Sequence, residues 1–571
     1  MAKYLSIVIL VLISAVSVGQ QRKFQINGSA RGYYFDNDLD IDDQLDSITT
    51  RKANYGHTLM DLAVSVFPEK NTEIIGTFRI RNELGGFWGA GTSFLVRQLT
   101  LRGVAGGVVR YELGDIDLKL TPYTLHNFEE EGMVNEADVF ALRRDIVHYD
   151  MFYNAGNTWR MQGANVGFGL NFSRLIDQIN VKAFITRQRM TDGLAVPERL
   201  YGGGTLQLVQ SEQFNLSVNS VNIFDLKETI PDSIQFKNSV HSMHLAYAKH
   251  LAPEWKGGVE GEAGFSETRY INYSDTRAPE QMGDWFYDVG LNLQSQPNGI
   301  RIKLGYKDIG ADFLSPGAQT KRINYEKYPG VFQQITNDAI GRPMSYSDVI
   351  SGAAETSVRI SEELLVYNPA YDNATPYGAA TPNRRGTYLN VVREDTVGFR
   401  EIFVEAAYLT QSRGTGTLQK KKFIVFKAGA DVYFNDWMGW KNDLKMDLGV
   451  RFENTSRSGE AYETITLNST MVDAGLTWEF VSNFDVMLGA KMLMADGNAF
   501  VDLRNRYNTI ENFAIADVSF TENLYAAGLR YRFNERNAVS AHYQMFNIVH
   551  ADAQLVDYGI TQFSFLLSLK F

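Results

Sequence analysis

From residue 20 onward no run of 18 apolar residues occurs, yet segment after segment alternates apolar and polar side chains with a period of two. In "DLKMDLGVRFE", Leu444, Met446, Leu448, Val450 and Phe452 share one parity, and Asp443, Lys445, Asp447, Arg451 and Glu453 share the other. "VDAGLTWEF" sets Val472, Ala474, Leu476, Trp478 and Phe480 against Asp473, Thr477 and Glu479. "GIRIKLGYK" sets Ile300, Ile302, Leu304 and Tyr306 against Arg301, Lys303 and Lys307. The final segment, "TQFSFLLSLKF", sets Phe563, Phe565, Leu567, Leu569 and Phe571 against Gln562, Ser564, Ser568 and Lys570. Successive side chains of a strand leave on opposite faces, so each segment is a strand with one oily and one wet face. A soluble sheet alternates in the same way. Here, however, the polar parity is often glycine (Gly449, Gly475, Gly489), which suits a curved wall around a lumen, and the chain stops on an aromatic that completes a strand. With 35 Phe, 29 Tyr and 49 Gly against 13 Pro, the reading is an all-β transmembrane antiparallel barrel.

The first residues point to export. Lys3, the apolar "YLSIVILVLISAV" and small residues up to Gly19 have the layout of a signal peptide over 1–19, which leaves 20–571 as the barrel. The absence of cysteine excludes an acylated lipoprotein anchor and disulfides. A net charge of -11 speaks against a nucleic-acid partner and leaves outer-membrane lipid and lipopolysaccharide as the expected surroundings.

Connections alternate between short and long. Short links are expected at 68–71, 105–107, 211–213, 252–254, 296–299, 481–483 and 534–537; long loops at 37–56, 121–157, 224–237, 268–283, 455–469 and 495–517. A strand over 386–394 closes one further loop, 311–385. The count comes to roughly 22 strands (20–24), with periplasmic termini and long extracellular loops.

Candidate chemistry lies in the loops and on the inner parity. "DNDLDIDDQLDSI" (36–48) puts Asp36, Asp38 and Asp40 at the spacing that opens a calcium loop. Ile41 stands where the turn glycine belongs, and Ser47 where the bidentate glutamate belongs, so the motif is half present. Calcium is the only cofactor the chain suggests. A second acidic stretch carries Glu129, Glu130 and Glu131, then helical spacing at Val134, Ala137, Val139 and Leu142, with His126 and His148 flanking it. "GGFWGAGTSF" (85–94) lacks a strand–glycine–helix context, so it is no phosphate loop; Phe87, Trp88, Trp437 and Trp440 suit the membrane interface. The expected lumen-lining charges are Arg79, Arg81, Glu260, Glu262, Asp288, Arg301, Lys303, Asp431, Arg530 and Arg532. They make either a field across a pore or a bed of mutually satisfied ion pairs. Ser540 and His542 share a strand face, but i and i+2 on one strand is no nucleophile–base geometry. No catalytic constellation is assigned, and an outer-membrane hydrolase stands third among the readings.

The terminal "TQFSFLLSLKF" with Phe571 resembles the assembly signal of outer-membrane barrel proteins. The leader ending "GQQ", the "GGFWG" stretch and "YELGDIDLKLTPYTLHN" (111–127) resemble large, uncharacterised porin-like barrels of the Bacteroidota. The resemblance is one of architecture across the mature chain. It implies either a porin-like channel, not an enzyme, or a barrel subunit of a multiprotein outer-membrane machine for secretion, nutrient uptake or barrel insertion. In the second case other outer-membrane or periplasmic proteins are its partners.

Overall fold

In a computed structural model the alternating segments form 22 strands. They are β1 Phe24–Ile41, β2 Lys52–Glu69, β3 Thr72–Glu83, β4 Thr92–Ala105, β5 Val109–Ile116, β6 Met161–Asn171, β7 Gln178–Arg189, β8 Arg199–Val209, β9 Phe214–Asp225, β10 Gln235–Ala252 and β11 Trp255–Ile271. There follow β12 Gln281–Ser295, β13 Ile300–Ile309, β14 Arg384–Thr396, β15 Phe399–Thr410, β16 Lys422–Tyr433, β17 Leu444–Arg457, β18 Ile465–Val481, β19 Phe484–Arg504, β20 Ile510–Asn534, β21 Asn537–His550 and β22 Tyr558–Lys570. The structure describes residues 23–41, 51–84, 91–126, 135–141, 161–173, 175–227, 229–230, 234–271, 275–320, 360–364, 367–552 and 555–571. The leader, Phe87, Trp88, Glu129–Glu131 and His148 lie outside them, as does most of the 311–385 loop.

Each strand pairs antiparallel with the next, and β22 pairs with β1, so the sheet has no free first or last strand. An even strand number puts both termini at the same end, with the short links. At the seam Gly28 and Phe571 exchange two backbone hydrogen bonds of 2.9 Å. The ring of Phe571 lies over Gly28, where a Cβ would meet it at 2.4 Å.

The outward faces carry the large apolar side chains, such as Trp285, Leu291, Phe426, Leu448, Trp478, Tyr531 and Phe565, all exposed. Water does not tolerate a continuous apolar girdle of this extent; hydrocarbon does. The girdle has an upper edge. On β17 the outward series ends at Phe452 and continues with Asn454 and Ser456; on β18, Thr466, Asn468 and Thr470 precede Val472. On β20, Ser519, Thr521 and Asn523 precede Tyr525. On β1 the series Ile26 to Tyr34 gives way to Asp36, Asp38 and Asp40.

The strands therefore continue into water beyond the girdle, and this corrects the expected loop boundaries. Asp36, Asp38 and Asp40 do not sit in a loop. They project outward from the upper part of β1, and Asp38 pairs with Lys52 at 3.3 Å. Above the girdle the polarity inverts: Phe35, Leu39 and Ile41 are buried inside the wall. Likewise the expected loop over 495–517 shrinks to 505–509 between β19 and β20, and that over 268–283 to the link between β11 and β12. The one-turn helix Phe434–Met438 sits at the short-link end, with Trp437 and Trp440 exposed.

The lumen holds protein. Segments 117–126, 135–141, 310–320, 360–364 and 367–383 fold inward at the loop end. An apolar core forms inside the wall of β6–β13, where Tyr123, Leu125, Phe313 and Ala318 pack on Tyr201, Val240 and Phe286. Opposite it, 135–141 lies on the wall of β16–β19, where Gly429 faces Gly449 and Gly475 faces Gly489 across neighbouring strands. Ala137 covers Gly475, and Val139 and Phe140 cover Gly489.

Candidate functional site

Two of the expected lumen charges, Glu262 and Asp288, converge on one inward segment, with Glu260 beside them on the wall. Glu262 accepts a hydrogen bond from the Thr121 hydroxyl at 2.7 Å, and Asp288 accepts one from Tyr123 at 2.6 Å and another from Tyr388 at 2.7 Å. The Tyr123 ring stacks on Phe286 with centroids 4.3 Å apart. Glu260 is held by His244 at 3.1 Å, Asn292 at 3.0 Å and Lys303 at 3.3 Å. Side chains on β11 and β12 thus clasp the tip of 117–126. Ser315 ties the second inward segment to the first by donating to the Tyr123 carbonyl at 2.8 Å.

Beneath this tip a chamber of about 390 Å³ opens between 119–123 and the inner faces of β7–β13. A larger cavity of about 1190 Å³ begins at the short-link end, by Lys70, Asn71 and Gly107, and runs along β3–β8. Lys182 and Gln207 line both, so the two form one polar path that ends under Tyr123. Three carboxamides ladder across its floor: Asn180 donates to Gln207 at 3.2 Å, and Gln207 to Asn215 at 3.2 Å. Each amide keeps further donor and acceptor capacity for the cavity.

The other expected charges lie elsewhere on the inner wall, each with a partner. Arg79 makes a two-pronged pair with Asp61 at 2.8 Å for each bond, and Arg97 joins the same carboxylate. Arg81 bonds Glu83 and the Tyr55 hydroxyl, each at 2.8 Å. Arg301 pairs with Glu394. Asp431 accepts from Asn135 of the inward segment at 2.6 Å. Arg530 and Arg532 share Asp485, at 2.7 and 3.0 Å, and Arg532 also reaches Glu479 at 2.8 Å. On these walls the charges satisfy one another. Asp36, Asp38 and Asp40 are far from the path, and among the described residues no group of three acidic, histidine or cysteine side chains is placed to hold a metal ion. Ser540 and His542 are buried side by side on the inner face, and among the described residues no hydrogen bond joins them.

The inward anchors Thr121, Tyr123 and Ser315 escaped the sequence reading, as did Lys119, Lys182, Asn180, Gln207 and Asn215. The last two groups differ in legibility. Asn180 and Lys182 alternate with Ile179, Val181 and Ala183 in "INVKA", the same signal that found Arg301 and Lys303. Thr121 meets Glu262 across 141 residues of chain, which no local pattern encodes.

Segment 360–364 is tied to the wall by charge. Glu362 bonds Arg199 at 2.6 Å and Arg189 at 3.5 Å, and both arginines also reach Asp225. Burial pushes the Glu362 carboxyl up, but Arg199, its strongest charged neighbour, brings it net below the ordinary 4.5. A lowered carboxylate stabilises the fold above its unfolded value, and that stabilisation is lost as pH falls through the folded value. The difference in melting temperature between wild type and Glu362→Gln is therefore expected to be positive at pH 7 and to shrink as the pH is lowered below 4.5. A difference that grows on acidification would contradict the pairing.

No family model matches the chain, and no curated protein matches it. Among solved structures it is similar to a BenF-like porin from Pseudomonas fluorescens Pf-5, at 10% identity over 81% of this chain and 100% of that one, with a TM-score of 0.36. It is similar to OccK11 (OpdR) of Pseudomonas aeruginosa at 9% identity, over 98% and 99% of the two chains, with a TM-score of 0.35. The FrpB iron transporter of Neisseria meningitidis (F3-3 variant) gives 8% identity, 98% and 83% coverage and a TM-score of 0.44. The barrel assignment rests on the strand pairing of this chain itself.

Proposed function

We propose that the chain is a porin-like channel of the outer membrane, narrowed from within by its own loops. The observation that carries this reading is the continuous polar path: two cavities of about 1190 and 390 Å³ joined at Lys182 and Gln207, inside a wall whose outer face is apolar. A barrel that only anchored partners would need no such path. The path ends at the clasp of Thr121 and Tyr123 on Glu262 and Asp288. The described parts of the 311–385 loop lie inside the barrel, which supports the channel reading over that of a docking platform for other proteins. Purified protein in a planar lipid bilayer is expected to give stepwise conductance. A barrel that inserts, as shown by protection from protease, and stays silent at all voltages would end the channel reading.

A further inference from the structure

We infer that the path selects small, hydroxylated organic anions; this rests on the channel reading above and specifies its solute. Six basic side chains line the two cavities: Lys70, Arg102, Arg110, Lys119, Lys182 and Lys303. Arg102 is paired with Glu73 at 2.8 Å and Lys303 with Glu260 at 3.3 Å. The other four, Lys70, Arg110, Lys119 and Lys182, are exposed to the cavities and have no hydrogen-bond or ion-pair partner among the described residues.

Four of the five acids on the same path are engaged. Glu73 and Glu260 are in those ion pairs; the fifth, Glu112, faces Arg102 across the β4–β5 pair. Glu262 accepts from Thr121, and Asp288 from Tyr123 and Tyr388. Glu262 is 6% exposed, covered by the inward segment that donates to it. This asymmetry is not the average of the chain, which has 66 acidic against 55 basic residues. Free cations also follow the route in order: Lys70 at the short-link mouth, Arg110 in the larger cavity, Lys182 where the two meet, and Lys119 on the inward segment above the chamber.

At physiological salt, screening extends over about 8 Å, which leaves each lysine felt across a narrow path with low-dielectric walls. A lysine is a compact charge on a flexible stem, able to hand a carboxylate or phosphate onward rather than clamp it. The carboxamide ladder of Asn180, Gln207 and Asn215 supplies both donors and acceptors, the complement of hydroxyl groups. A chamber of about 390 Å³ holds a solute of sugar-acid size.

Full-length protein in a planar bilayer under a potassium chloride gradient tests the inference. The reversal potential should show chloride passing several-fold more readily than potassium. Lys119→Glu with Lys182→Glu should invert that preference while heat-modifiable gel mobility stays that of the folded barrel. Potassium preference in the wild type, or an unchanged ratio in the double variant, would overturn it. Should no current flow, the channel reading falls, and the anion site is judged by calorimetric binding of gluconate to the detergent-solubilised barrel. Binding that the double variant loses supports the site; no binding to the wild type, or equal binding to both, refutes it.

Discussion

Gly475→Val combined with Gly489→Val will raise single-channel conductance several-fold while leaving the barrel closed. Both glycines face inward from paired positions on β18 and β19, and 135–141 rests directly on them. A Cβ at Gly475 would stand 2.1 Å from the Ala137 Cβ, and one at Gly489 2.5 Å from a Val139 methyl. The wall cannot retreat, because β17, β18 and β19 are hydrogen-bonded along their whole length. The inward segment is the part that yields. Valine suits a strand better than glycine, so the wall itself gains. Once displaced, the segment gives up Asn135 on Asp431, Asp138 on Lys445 at 3.0 Å and Glu136 on Lys491 at 2.6 Å. Planar-bilayer recordings, with gel mobility before and after heating as the check on folding, decide the matter. Conductance equal to wild type in a folded double variant would mean that 135–141 does not narrow the lumen.

Lys491→Met should cost about 3–5 kcal/mol of unfolding free energy, among the largest effects of any single inner-wall change. Lys491 lies between Glu136 at 2.6 Å and Asp473 at 3.2 Å, and the three side chains are only 4%, 6% and 1% exposed. The Phe140 ring closes over the ammonium at 5.4 Å. Methionine fills the same space but leaves two carboxylates facing each other in a dry site. Urea titration in lipid or detergent measures the loss, and adding Asp473→Asn should restore part of it by removing one of the stranded charges. A loss below about 1 kcal/mol would show that water already reaches the site, since exposed pairs are worth no more than that.

The strands were legible wherever lipid and lumen impose opposite demands on adjacent residues. Leu444 to Glu453 and Val472 to Phe480 lie as the alternation places them. Reading failed above the girdle, because the rule there reverses. In "YFDNDLDI" the inner parity is Phe35, Asn37, Leu39 and Ile41, and the outer parity is acidic. The pattern still has a period of two, but its apolar side has changed faces, and a search for an oily exterior takes it for a loop. The glycines at 449, 475 and 489 were visible as small inner residues, but their purpose was not. The segment they accommodate begins more than 300 residues earlier in sequence, as the Asn135–Leu448 contact across 313 residues shows. The same holds for the path: Glu260, Glu262, Asp288 and Lys303 could be placed on a face, while Thr121 and Tyr123, which turn that face into a clasp, carry no periodic signal.

Those upward extensions make the rim uneven. β20 runs from Ile510 to its outward aromatic at Tyr525 before entering the girdle, which at the usual rise and tilt is a parapet roughly 35 Å high. β5 stops at Ile116, only three residues past the outward Leu113, and β6 starts at Met161 opposite it. Among the described residues, a molecule resting among the headgroups faces a high protein screen on the β20 side and almost none at β5. The low side is also where the chain turns in toward Lys119 and Tyr123, so a low sill stands next to the clasp on Glu262 and Asp288.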